Sequence, residues 1–91
     1  MTYVVISYDI SDDGTRNKVA NVLKDYGKRV QYSVFECRVD ARALERLVAR
    51  LKPFAEGHDS IRVYQLCDAC LKKVVLLGRG ELTEVAMFHL V

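Results

Sequence analysis

Long hydrophobic runs are missing from this chain. No apolar stretch approaches the ~20 residues needed to cross a bilayer, and the first residues carry neither a basic flank nor an apolar leader. A cytoplasmic protein without a membrane partner is expected. Proline occurs once, at Pro53, and no Ser/Gly-rich tract offers a linker, so residues 1–91 read as a single domain. Cysteine is sparse and odd in number: of the three, Cys67 and Cys70 form one C-x-x-C pair and Cys37 stands apart. That count excludes a disulfide framework, and one pair falls short of a structural zinc site, so buried free thiols in a reducing compartment are expected. Also missing are a Gly-rich phosphate loop, an H-x-x-x-H helix and a nucleophile elbow. His58 falls in a polar loop and His89 in the last apolar segment, and neither has an evident partner for general-base work.

What is present is an uneven distribution of charge. The net charge is only +2, yet residues 16–52 hold ten Lys/Arg against four acids, while residues 1–15 hold three acids and no base. A basic stretch of this kind attracts phosphate through counterion release. A solvated helix face accounts for the same charges equally well. A domain this short also leaves much of its surface unburied, which favours association with a second copy.

The apolar pattern sets the elements. Tyr3 to Tyr8 is a β-branched and aromatic run, too short for a helix, and reads as a buried central strand. Asp12 or Asp13 caps a helix whose apolar positions are Val19, Val22, Leu23 and Tyr26, with Gly27 at its C-terminal end. From Lys28 to Val39 the apolar parity changes: Val30, Tyr32 and Val34 share one face, then Phe35, Cys37 and Val39 take the other. A bulge or chain reversal near Ser33–Phe35 follows. Asp40 caps a second helix with an apolar stripe of Leu44, Leu47, Val48 and Leu51, ended by Pro53. Ile61–Cys67 and Val74–Leu77 read as strands around a turn at Asp68–Lys73.

If the break is a hairpin, the order is β-α-β-β-α-β, an α+β, ferredoxin-like sandwich with one surplus strand and the tail Val85–Val91. Those surplus segments are expected to pair within an extended sheet or with a partner subunit, because an apolar strand left at an edge invites aggregation.

Asp9 leaves the first strand where the chain turns into a helix. Its carboxylate suits either of two roles: bonding backbone amides in that turn, or holding a hard cation such as magnesium, for which one or two carboxylates and a substrate phosphate suffice. Arg16, Lys18, Lys28 and Arg29 flank it in the chain, as phosphate contacts or as solvated charges. Arg42, Arg46 and Arg50 oppose the apolar stripe of the second helix at spacings that set like charges side by side. That favours a duplex-binding face over an unpartnered one.

The run Ser7-Tyr8-Asp9-Ile10-Ser11-Asp12-Asp13, then Arg16, Lys18, Gly27 and Arg29-Val30-Gln31-Tyr32-Ser33-Val34-Phe35-Glu36-Cys37, resembles the CRISPR-associated Cas2 family. The strand after Asp59 and the turn at Gly78 fit its later pattern, so the likeness spans nearly the whole chain. The resemblance implies a ferredoxin-like homodimer in which the last strand, within residues 79–91, extends the partner's sheet. It implies an Mg2+- or Mn2+-dependent endonuclease acting on RNA or double-stranded DNA, and a partnership with the CRISPR integrase in spacer acquisition. In the family pattern Asp9 is catalytic and ligates the metal, Arg16 and Arg29 match basic substrate positions, and Tyr8, Ser33 and Phe35 are supporting residues. The same fold also serves non-catalytic duplex clamps, metabolite-binding regulators and toxin-type ribonucleases.

Overall fold

A computed structural model describes residues 1–80 and, as backbone, His89–Leu90. The chain runs β1 (Thr2–Asp9), α1 (Asp13–Lys24), β2 (Gly27–Gln31), β3 (Val34–Val39), α2 (Ala41–Leu51), a 3-10 turn (Lys52–Phe54), β4 (Ser60–Leu66), α3 (Asp68–Leu71), β5 (Val75–Leu76) and β6 (His89–Leu90). β1 to β4 form one antiparallel sheet in the order β2-β3-β1-β4. This is the expected ferredoxin-like arrangement, with α1 and α2 on one face.

Alternation along β1 produces the two faces. Val4, Ile6 and Tyr8 point into the core with Phe35, Cys37 and Val39 of β3, and α1 and α2 close over them with Val19, Ala20, Leu23, Leu47 and Leu51. Ser7 and Asp9 point to the opposite, open face, where they meet Ser60, Arg62 and Tyr64 of β4. The parity change predicted in the middle segment is a hairpin. Tyr32 and Ser33 turn the chain, and a register shift between Arg29 and Gln31 turns Val30 outward.

Both helix starts are capped as the sequence indicates. Asp12 accepts from the Thr15 amide at 2.8 Å and from its hydroxyl at 3.0 Å, and Asp40 accepts from the Ala43 amide at 2.8 Å.

Several expectations are corrected. Val48 is 42% exposed and does not share the burial of Leu47 and Leu51. It borders a shallow apolar depression of about 170 Å³ with Leu51, Ala55, Ile61 and Val63, between α2 and β4. The turn after β4 contains α3, capped by Cys67. Val74–Leu77 contracts to the two residues of β5, which pair in parallel with β6 in a separate two-stranded sheet and do not extend the main one. Of the three cysteines, Cys37 alone is buried; Cys67 and Cys70 lie beyond the end of the sheet and are exposed. Most of the tail expected to exchange between subunits lies outside the described residues.

Gly27 is needed for a reason other than a helix C-terminus. Its backbone is not left-handed; it starts β2 against β3, where a Cβ would come within 2.1 Å of the Glu36 carbonyl oxygen and 2.7 Å of Cys37 Sγ. Backbone cannot give way as a flexible side chain can. Gly27→Ala is therefore expected to destabilise the fold by roughly 1–3 kcal/mol through overpacking. Urea unfolding checks this, and an unchanged midpoint would show that β2 moves aside without cost.

Candidate metal and nucleic-acid site around Asp9

The site begins where β1 runs out. Asp9 is its last residue, is exposed, and faces Ser60 across the β1–β4 ladder. With Ser7, Ser60, Arg62 and Tyr64 it lines an open pocket of about 180 Å³ on the sheet face away from the helices. Arg62 and Tyr64 are hydrogen-bonded to each other, which raises the guanidinium pKa further. The pocket thus joins one carboxylate, two hydroxyl-bearing serines and one cation. The oxygens are the hard donors that magnesium or manganese prefers, and a single carboxylate leaves coordination positions for water and phosphate. Asp9 and its neighbours fit such an ion, although among the described residues no three His, Cys, Asp or Glu side chains gather around one point.

The end of β1 and the loop that follows Asp9 are braced from three sides. Ser11 donates its amide and its hydroxyl to Asp59 Oδ1, at 3.1 and 2.9 Å, tying the exit of β1 to the entry of β4. Arg16 Nη1 donates to the Ile10 carbonyl at 2.8 Å, its other nitrogen pairs with Asp13, and its guanidinium lies 5.6 Å from the Tyr32 ring centre. The Tyr8 amide donates to the Ser33 carbonyl at 3.1 Å, and its hydroxyl approaches the Tyr32 carbonyl at 3.4 Å. Phe35 is fully buried, its ring 6.3 Å from that of Tyr8. Tyr8, Ser33 and Phe35 thus belong to the hairpin and the core beside the end of β1, while Asp9 itself faces solvent.

The predicted cations are not gathered in one place. Arg29 lies over the Phe35 ring at 5.4 Å and so shares the core side of the sheet, whereas Asp9 shares the open face with Arg62. Arg29 also borders, with Lys28 and Arg79, a groove of about 500 Å³ between β2 and β5, with Glu36 on its wall. Lys18 is exposed on α1; Arg42 and Arg46 are exposed on α2, across the sheet from Asp9. Arg50 is engaged within the chain. It bonds Asp25 at 3.2 Å and the Tyr26 hydroxyl at 3.4 Å and lies 5.5 Å from the Tyr26 ring centre, holding α2 to the end of α1. Tyr26 and then Asp25 raise its pKa. His58 is exposed in the loop beside left-handed Gly57.

The family model described as CRISPR associated protein Cas2 matches residues 1–74. The chain belongs to the Cas2 family. It is 44% identical to the CRISPR-associated endoribonuclease Cas2 3 of Chloroflexus aurantiacus over 90 residues, 98% of this chain and 97% of that one. A crystal structure of a hypothetical protein from Thermus thermophilus superposes with a TM-score of 0.79 at 44% identity, covering 91% of this chain and 98% of the other. A Cas2-like chain of a partial Cas6-RT-Cas1–Cas2 complex gives a TM-score of 0.63 at 33% identity, over 80% and 87%. As a Cas2 protein the chain has no helix among its described residues long and apolar enough to cross a membrane.

Sequence reasoning missed Ser60, Arg62 and Tyr64. Their i, i+2, i+4 spacing on β4 was the available signal, but only the β1–β4 register places them beside Asp9.

The Asp12 cap makes the loop sensitive to acid. The Thr15 amide and then its hydroxyl hold the Asp12 carboxyl below the ordinary 3.8. The unfolded carboxyl therefore takes its proton first as pH falls. The cap's contribution is complete above about 3.8 and is lost as pH drops through the lower folded value. Asp12→Asn keeps an acceptor oxygen but removes the titration, so acid unfolding of the variant should be less steep below pH ~4. Superimposable acid limbs in circular dichroism would contradict this.

Proposed function

We propose that this Cas2 protein is a nuclease that hydrolyses phosphodiesters as a homodimer, with Asp9 of each protomer holding a shared Mg2+ or Mn2+. The observation that carries this reading is the exposed Asp9 carboxylate at the end of the central strand. It sits among oxygen donors and one guanidinium, on the sheet face away from the helices. One protomer supplies a single carboxylate; a two-fold axis through the open face supplies the second. The endoribonuclease name of the Chloroflexus aurantiacus relative supports a nuclease and favours RNA, with double-stranded DNA as the other substrate class.

In this reading the divalent ion, when bound, supplies Lewis acidity towards the phosphodiester. The protein's own residues position the substrate. Asp9 holds the cation, and Arg62 receives a phosphate oxygen on the same face. Ser7 and Ser60 orient water by hydrogen bonding. Arg16 keeps the Asp9 loop in place through Ile10, and Arg29, Lys18, Arg42 and Arg46 extend the phosphate-binding surface around the edges of the protomer. The Cas1–Cas2 complex among the similar structures supports a CRISPR integrase partner, for which the dimer acts as a duplex-holding element in spacer acquisition. In the dimer the tail, 79–91, would exchange onto the partner's sheet, in place of the pairing of His89 and Leu90 with β5 of the same chain.

Asp9→Asn keeps the side-chain volume and replaces the anionic ligand by a neutral amide. Cleavage of RNA and duplex DNA should fall to background while the dimer survives. A mixed dimer with one Asp9→Asn subunit should lose most of its activity if the metal is shared. Half the wild-type rate would mean independent sites, and full activity in the doubly substituted dimer would remove Asp9 from the chemistry.

The exposed arginines on α2 make a separate prediction. Arg42→Ala and Arg46→Ala should each lower the salt slope of duplex binding by ~1 without changing stability, whereas Arg50→Ala should also lower the unfolding midpoint because it frees Asp25 and Tyr26. Unchanged salt slopes in fluorescence titrations would remove α2 from the interface.

A further inference from the structure

The nuclease reading uses none of the cysteines, yet two of them are arranged for chemistry. Cys67 ends the extended chain leaving β4, and Cys70 follows one helical turn later in α3. Their sulfurs lie 3.2 Å apart, and the Cys70 amide donates to Cys67 Sγ at 3.4 Å. Both side chains are exposed. A small rotation about χ1 brings sulfurs at that separation to the ~2.05 Å of a disulfide. Among the described residues no third metal-ligating side chain joins them, so the pair lacks the ligand set of a structural zinc site.

We propose that Cys67 and Cys70 form a dithiol site that exchanges with small-molecule disulfides and closes into an intramolecular disulfide. This rests on the sulfur geometry alone and is independent of the nuclease reading.

Cys67 is the attacking sulfur, because it is the one that accepts the Cys70 amide. The same amide, and then the Cys70 thiol, lower its pKa from 9.0 and favour the thiolate that exchange requires. In the first step Cys67 thiolate attacks one sulfur of R–S–S–R, forming Cys67–S–S–R and releasing R–S⁻. Cys70 then gives up its proton and attacks Cys67 Sγ, forming the internal disulfide and releasing the second R–S⁻. The two protein thiols lose two electrons and two protons; R–S–S–R gains them and leaves as two R–SH. The product bond closes α3 at the junction through which the chain leaves β4 for β5. Cys37 serves as an internal control: it is fully buried, and burial pushes its thiol up to about 11.

The test places the full-length chain in mixtures of glutathione and glutathione disulfide at neutral pH, quenches with acid, alkylates the free thiols in denaturant and maps the peptides by mass. At the disulfide-rich end two of the three thiols should be lost to alkylation as a single Cys67–Cys70 link within one chain, with Cys37 fully alkylated. Cys70→Ser should trap a stable glutathione adduct on Cys67. In the native protein, iodoacetamide should modify Cys67 faster than Cys70. Two fully alkylatable thiols at every ratio, separate adducts without a link, or a link that includes Cys37 or a second chain would each overturn the proposal. Faster alkylation of Cys70 would overturn the assignment of Cys67 as the attacking sulfur.

Discussion

The hydrogen-bonded position of β1 between β3 and β4 is the constraint on which the rest of the structure depends. Both edges of this strand are paired, Thr2 to Ser7 with β3 and Tyr3 to Asp9 with β4. Its register is fixed from two sides, so each residue is committed to one face. A slip of one residue would turn Val4, Ile6 and Tyr8 out of the core and carry Asp9 onto the helix side. The core and the site are therefore opposite consequences of the same ladder. The site needs little further scaffolding because β1 ends at Asp9, and Asp59 and Arg16 hold the few residues beyond it.

The arginines show how charge can be present without being available. Arg16 and Arg50 each find an acid, an oxygen acceptor and an aromatic ring within the chain, and both tie elements together. An arginine used in this way covers apolar ring surface with its planar head while satisfying its donors, a combination lysine cannot match. The net basic character of residues 16–52 consequently overstates the positive surface offered to a phosphate backbone. Arg62, outside that segment, is the cation that lines the pocket beside Asp9.

The cysteines divide by the same geometric rule. Cys37 alternates inward on β3 and is held protonated by the core around it. Cys67 and Cys70 follow the last residue of β4, where the sheet no longer covers anything, and one helical turn brings them together. Residue type alone does not separate these environments; their position relative to the sheet does.

The sequence by itself determined the four strands of the main sheet, the two helices packed on it, and their order. Apolar periodicity marked β1, α1 and α2, Asp40 and one of Asp12 and Asp13 marked the helix starts, and the parity switch before Phe35 marked a bulge or chain reversal. These are properties of neighbours in the chain, which act through the backbone whatever the remainder does. A carboxylate that closes a buried apolar run stood out locally, but it suited a turn bond as well as a cation, and the resemblance to the Cas2 family is what made Asp9 the candidate. Only the tertiary structure decided that Ser60, Arg62 and Tyr64 join Asp9, that Arg29 lies on the other side of the sheet, that Arg50 is occupied by Asp25 and Tyr26, and that Gly27 is required by the carbonyl of Glu36. Each depends on strand register or helix docking between residues distant in sequence, and no local pattern encodes which partner lies opposite.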